Sequence, residues 1–301
     1  MRILVTGGTG FLGRPLCAAL VREGHAVTVL SRTPSGVADL CGAAVESLAG
    51  LDAWTPEITF DAVINLAGAP IVDVRWSESR KRLLRDSRIA LTDALVRRIA
   101  ACNRRPDVLL SGSAVGYYGD GGGLALDEHS PAGTDFAARL CADWETAASQ
   151  ATAFGVRVCF LRTGLVLHPS NGILGRMLLP FRLGLGGKLG TGTQWMSWIH
   201  RDDWIALAVR LLADRTAMGA FNLTAPAPVT NATFTRLLGR VLRRPVIFSA
   251  PEFLLRAALG ERAQMLLAGQ RALPRKAESL GFTFAHPELE SVFRSLLGQM
   301  T

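Results

Sequence analysis

Lysine is nearly absent from this 301-residue chain: Lys81, Lys188 and Lys276 are the only three among 33 basic residues, so arginine carries almost all of the net charge of +8. An arginine-rich surface suits anions, from a single phosphate to nucleic acid. The densest basic run, 75–88, also holds Glu78 and Asp86, and its one aromatic, Trp76, is not the interleaved set of a single-strand binder. We therefore expect no nucleic-acid partner. No stretch approaches the roughly 20 uninterrupted apolar residues that a bilayer span requires. Met1 leads directly into a strand pattern with no basic-then-apolar leader. The expectation is a soluble, cytoplasmic protein with no membrane partner. Cysteines are few, odd in number and scattered (Cys17, Cys41, Cys102, Cys141 and Cys159). That spacing excludes a disulfide framework and a zinc site, so we expect buried reduced thiols and no metal.

What the chain has in quantity is apolar residues, 49% of the total. Its length exceeds one typical core, which implies one large α/β unit with a smaller lobe or two close-packed domains. Short apolar runs alternate with amphipathic stretches from Arg2 to about Arg162, the βαβ rhythm of a parallel sheet. Strands are expected at Ile3–Val5, Val27–Leu30, Ala62–Leu66, Val108–Leu110 and Val156–Leu161. Leu12, Leu16 and Leu20 form one stripe of a first helix that Gly24 ends. Leu84, Leu91, Leu95 and Ile99 mark a longer helix. The glycine-dense stretch Leu183–Gly192 reads as a mobile loop or hairpin. Near the end, Phe234, Leu237, Leu238, Val241 and Leu242 form one helical stripe. Leu289, Val292, Phe293, Leu296 and Leu297 form another, with Pro287 in its first turn. These two stripes fit packing within one chain or a homodimer equally well. The fold class is thus α/β, a Rossmann-type doubly wound parallel sheet with a smaller, mainly helical C-terminal lobe. We expect residues 1–163, completed by 199–224, to form the sheet domain, and 164–198 with 225–301 to form the lobe.

Strand Ile3–Val5 runs into Thr6-Gly7-Gly8-Thr9-Gly10-Phe11-Leu12-Gly13 and a helix follows at once. This is the context that a dinucleotide fingerprint requires. Gly7 permits the tight turn, Gly10 lets the backbone approach a diphosphate, and Gly13 lets the helix pack close to the sheet. The helix N-terminus then faces the anion. The second strand ends in Ser31-Arg32, where an NAD-binding protein carries Asp or Glu for the ribose hydroxyl. A hydroxyl and a planar cation suit a 2′-phosphate instead, so NADP(H) is the expected cofactor.

The glycine turn, Asn65-Leu66-Ala67-Gly68 and Ser111-Gly112-Ser113-Ala114-Val115-Gly116-Tyr117-Tyr118-Gly119 together resemble an extended short-chain dehydrogenase/reductase. Leu161-Arg162-Thr163-Gly164, Trp198-Ile199-His200, Phe221-Asn222-Leu223 and Leu267-Ala268-Gly269-Gln270-Arg271 are similar to the atypical epimerase/dehydratase-like subfamily, which ends in its own helical domain. The resemblance implies that Thr9, Phe11 and Leu12 join the glycines at the cofactor. It implies that Leu66, Ala67 and Gly68 line the adenosine side, that Arg88 contacts the cofactor from the following helix, and that Val166 lies near the nicotinamide.

The superfamily's acid/base pair is a Tyr with a Lys four residues later. The resemblance puts Ala137 and Cys141 at those positions, and neither can move the proton. Ser113 falls where the superfamily has a substrate-orienting hydroxyl. Tyr117 and Tyr118 are the only tyrosines. These three are the candidate catalytic residues. His200 is read as corner support, with Asp202 capping a helix Trp204–Leu212. Two functions follow: an NADP(H)-dependent oxidoreductase or epimerase-like enzyme on a small carbonyl, hydroxyl or sugar-type substrate, or a non-catalytic NADP(H) sensor.

Overall fold

The structure, a computed structural model, describes residues 1–298. Seven strands are β1 (Arg2–Thr6), β2 (Ala26–Leu30), β3 (Glu46–Leu48), β4 (Ala62–Asn65), β5 (Val108–Ala114), β6 (Arg157–Thr163) and β7 (Gly219–Leu223). They form one parallel sheet in the order β7-β6-β5-β4-β1-β2-β3. The order reverses beside β1, the switch point at which doubly wound sheets bind ligands outside their strands' C-terminal ends. The strands expected from apolar runs all form. β5 reaches four residues beyond Leu110 and carries Ser113 within the sheet. The edge strand β3, Glu46-Ser47-Leu48, is too polar and short to announce itself.

Among the helices are α1 (Gly13–Arg22), α2 (Glu78–Arg85), α3 (Leu91–Ala101), α4 (Phe136–Ser149), α5 (Gly172–Arg182), α6 (Arg201–Ala213), α7 (Asn231–Leu242) and α8 (Leu289–Leu297). Leu16, Cys17 and Leu20 of α1 pack with Leu207 and Leu211 of α6 against Ile3, Val5 and Val27 on one face of the sheet. Leu95 and Ile99 of α3 join Leu4, Val63 and Leu109 on the other. Alternate residues of each buried strand therefore feed opposite cores. Gly24 sits at φ +78° just past α1, as a residue that ends a helix should. The longer helix seen in the leucine spacing is α2 and α3 joined by a π-helical turn, Asp86–Ala90.

The lobe has its own core. Phe234 of α7 meets Phe293 of α8 edge-on, with ring centroids 5.0 Å apart. Leu238, Leu289, Val292 and Leu297 are buried beside them. The two tail stripes thus pack on each other within one chain. Pro287 lies outside α8, which begins behind Glu288, so its fixed φ shapes the approach and not the first turn. The stretch Leu183–Gly192 is not a hairpin: Gly187–Leu189 pairs in parallel with Phe248–Ala250, about sixty positions away in sequence.

Several cations of 75–88 make contacts within the chain. Arg75 donates to the Ala257 carbonyl (3.3 Å), Lys81 pairs with Glu261 (2.6 Å), and Arg85 pairs with Asp143 (2.7 Å). The first two contacts tie the segment after β4 to the lobe, and the third ties it to α4.

Candidate functional site

β1 delivers the glycine turn to the switch point. Gly7 has φ +70°, and a Cβ there would lie 2.7 Å from the carbonyl carbon of Leu66. A Cβ on Gly13 would lie 2.2 Å from the Gly7 carbonyl oxygen, and one on Gly10 3.1 Å from it. The turn thus has no room for side chains at Gly7 and Gly13, and Gly10 donates its N–H to the Gly7 carbonyl (3.0 Å). α1 starts at Gly13 with no side-chain cap and no acidic residue in its first turn. Arg14 already donates to the Gly10 carbonyl (3.1 Å) and Pro15 has no N–H, so an anion here would meet the amides of the turn leading into the helix, Phe11 to Gly13.

A buried polar chain fixes the floor beneath. The Thr6 hydroxyl donates to Asn65 Oδ1 (2.6 Å) and accepts from the Ala67 N–H (3.2 Å). Asn65 Nδ2 donates to Thr92 Oγ1 (2.8 Å), which also accepts from Trp144 Nε1 (3.0 Å). This chain seats Leu66 and Ala67 directly over the glycine turn. Gly68 follows, where a Cβ would lie 2.8 Å from the Arg88 guanidinium carbon. Arg88 stands on the π-helical turn, donating to the Ala69 carbonyl (3.1 Å) and lying over the Trp144 ring at 5.4 Å. Burial lowers its pKa. π-turns re-aim side chains and recur at functional sites.

Ser31 ends in a half-buried position whose Oγ accepts from the Thr33 N–H (3.1 Å), and Arg32 beside it is exposed. Val166 is buried in the strand Leu165–His168, paired with Ile199. Its carbonyl oxygen and the Phe11 ring both lie against Gly172, which puts Phe11 and Val166 on one wall. Thr9 and Leu12 complete the turn between them.

Ser113, Tyr117 and Tyr118 gather at the C-terminal end of β5. The Ser113 hydroxyl donates to Glu145 Oε1 (2.6 Å). Glu145 is held bidentately by Arg162, through Nε at 2.8 Å and Nη2 at 2.9 Å, with both residues more than nine-tenths buried. Arg162 Nη1 donates to the Tyr118 hydroxyl (3.0 Å), which donates to Asn222 Oδ1 (2.7 Å). The guanidinium also lies 3.5 Å from the centre of the half-buried Tyr117 ring. Burial, the largest single influence, would lower the Arg162 pKa; its hydrogen bonds and charge attraction to Glu145, joined by Tyr118, together outweigh that and raise it. Burial pushes the Tyr118 phenol up to about 12, against the pull of Arg162.

The two positions lacking the Tyr/Lys pair fall on α4. Ala137 faces Gly116, and Cys141 is a buried thiol pushed up to about 12 by burial and by the nearby Glu145 charge. Glu145 and Arg162 escaped the sequence reading as site residues. The available signal was an arginine closing the apolar strand run Val158-Cys159-Phe160-Leu161, since a charge there demands a buried partner.

His200, and not Asp202, caps α6: its Nδ1 accepts from the Asp202 N–H (3.2 Å). Asp203 instead accepts from the Ala285 and His286 N–H groups (both 2.9 Å), pinning the tail to the sheet domain. His200, Asp202 and His286 come within metal-binding distance of one another. A neutral His200 whose Nδ1 lone pair accepts that N–H keeps its proton on Nε2, so it has no second lone pair for an ion. We assign it to the corner.

A parallel sheet with its switch point under a glycine turn that leaves no room for a Cβ at Gly7 or Gly13 defines a dinucleotide-binding Rossmann protein. Residues 3–223 match the model of the NAD dependent epimerase/dehydratase family, and the chain belongs to that family. Residues 250–296 match a domain of unknown function, DUF1731. The chain is 41% identical to the epimerase family protein Mb2239 of Mycobacterium bovis over 295 residues, covering 94% of this chain and 93% of that one. It is 39% identical to the chloroplastic epimerase family protein SDR39U1 homolog of Arabidopsis thaliana, covering 99% and 87%. The crystal structure of human epimerase family protein SDR39U1 with NADPH superposes with a TM-score of 0.88 at 34% identity, covering 99% of each chain.

Proposed function

We propose that the protein binds NADP(H) at the switch point and acts as an oxidoreductase or epimerase-like enzyme on a small carbonyl-, hydroxyl- or sugar-type substrate. The observation that carries this reading is the uncapped start of α1 behind a turn whose Gly7 and Gly13 leave no space for a Cβ. Gly7, Thr9, Gly10, Phe11, Leu12 and Gly13 would hold the diphosphate, with Ser31 and Arg32 at the 2′-phosphate. Leu66, Ala67, Gly68 and Arg88 would line the adenosine side, and Val166 the nicotinamide. The NADPH carried by the human relative supports the choice of cofactor. The bound nicotinamide supplies or takes a hydride.

The proton work falls to the chain's own groups. Because the Ser113 hydrogen is committed to Glu145, its oxygen is free to accept from a substrate hydroxyl. A proton passing from substrate to Ser113 is matched by the serine's own proton moving to Glu145. Tyr117, the less buried phenol, is the donor toward a carbonyl. Tyr118 positions Arg162. The test is NADPH oxidation against a panel of small carbonyl compounds. Ser113→Ala is expected to lower kcat/KM by roughly 10²-fold or more, and an unchanged rate contradicts the assignment.

Ala137 and Cys141 at the usual acid/base positions favour a second reading, an NADP(H) sensor. It predicts cofactor binding without turnover of any panel member, together with a protein partner captured only in one redox state.

A further inference from the structure

The outer edge of the lobe is apolar where it meets solvent. Helix Glu252–Leu259, Glu-Phe-Leu-Leu-Arg-Ala-Ala-Leu, has no buried residue. Phe253 and Leu254 are 69% and 53% exposed, and Ile247 and Phe248 just before them 77% and 50%. Gly187 pairs with Phe248, which brings Leu183 and Leu185, 65% and 60% exposed, to the same edge. Isolated exposed leucines are ordinary; six large apolar side chains on neighbouring segments are not.

The charge around them is one-sided. Arg182, Lys188, Arg243 and Arg244 are all exposed at this edge, and Arg244 Nε donates to the Arg182 carbonyl (2.8 Å). Among the described residues none of the four has a carboxylate at ion-pair distance, and Glu252 is already engaged by Arg256 at 2.7 Å. The inner side of the same helix is different: Glu252 and Arg256 turn toward a polar cavity of about 180 Å³ shared with Asp120 and Gln194. Leu255 and Leu259 of the helix are half-buried, while Phe253 and Leu254 stand outward.

We infer that this edge docks on an anionic lipid bilayer, the apolar side chains entering the headgroup boundary and the four cations facing lipid phosphates. Apolar burial and attraction to anionic headgroups together give such interfacial binding its strength. The apolar side chains stand out from the surface and do not line the neighbouring cavity, which suits insertion better than reception of a partner's side chain. Such contact is peripheral: no helix among the described residues is long and apolar enough to cross a membrane. It departs from the expectation of no membrane partner only by adding a peripheral contact.

The test is sedimentation of the full chain with vesicles of phosphatidylcholine alone or mixed equally with phosphatidylglycerol. Binding is expected to the mixed vesicles, far weaker to phosphatidylcholine, and reduced by high salt. Arg182→Ser with Lys188→Ser should weaken it roughly tenfold or more. Ile247→Ser with Phe253→Ser should abolish it, while NADPH titration and thermal unfolding, which report an intact fold, stay unchanged. No association with mixed vesicles, or equal binding by both double variants, overturns the inference. So does a concentration-dependent dimer that the same apolar substitutions dissolve in protein without vesicle affinity, since the edge would then belong to a second copy.

Discussion

Gly7 and Leu66 meet backbone to backbone: the Cβ that Gly7 lacks would lie 2.7 Å from both the carbonyl carbon and the carbonyl oxygen of Leu66. With φ at +70°, Gly7 is strained by any substitution, whatever the local space. Gly7→Ala should therefore cost about 1–3 kcal/mol of stability and abolish cofactor affinity. Urea unfolding and NADPH titration check the two effects separately. A variant of wild-type stability and affinity would show that the turn is looser than described.

The Glu145–Arg162 pair makes a sharper stability prediction. Glu145→Ala leaves a buried guanidinium without its carboxylate and should destabilise by about 3–5 kcal/mol. A double variant, Glu145→Leu with Arg162→Met, should recover much of that loss, because removing both charges also removes their desolvation cost. Chemical denaturation of the two variants decides it.

Those two predictions mark what could and could not be read from the sequence. The β1–turn–α1 unit was legible because all its determinants lie in one short consecutive run, Ile3 to Leu20: an apolar strand, three spaced glycines and a leucine stripe. Glu145 and Arg162 are 17 residues apart and meet only after β6 inserts beside β5 and α4 packs across it. No local pattern encodes that meeting. The cap on α6 was misassigned because Asp, a common N-cap, stood two residues from a histidine whose Nδ1 could do the same work. The glycines of Leu183–Gly192 suggested mobility, but Gly187 is small because Phe248 crosses close by: a Cβ would lie 2.3 Å from its carbonyl oxygen.

Histidine titration should shape the acid side of the stability profile. Burial, then the neighbouring His286, lowers the His200 pKa, against Asp202 and Asp203. A histidine depressed in the folded state binds its proton first in the unfolded chain. Its stabilisation is thus complete above the unfolded value of about 6.5 and is lost as pH falls below it toward the depressed folded value. His25 and His168 are lowered in the same direction, by burial first. Replacing His200 with Asn, whose side-chain oxygen can accept the same cap bond, should flatten part of the fall in Tm between neutral pH and pH of about 5. An unchanged slope would assign the loss to other groups.

The five cysteines should be silent in the native protein. All are buried and free, with burial pushing Cys17 and Cys141 up to about 12 and Cys159 to about 11. A thiol-reactive chromophore should therefore label none quickly under native conditions and all five in denaturant. A fast native phase would locate an exposed thiol.

The central claim is that the amides of the glycine turn leading into α1 hold a dinucleotide diphosphate while Arg32 selects the phosphorylated ribose. Calorimetric titration of the ligand-free protein with NADPH and NADH, repeated on Arg32→Ala, tests it most directly. NADPH should bind more tightly than NADH, and the substitution should shrink that preference roughly tenfold to a hundredfold, the loss of a charge-assisted hydrogen bond worth about 1.5–3 kcal/mol. Binding of neither dinucleotide, or a preference indifferent to Arg32, would contradict the account.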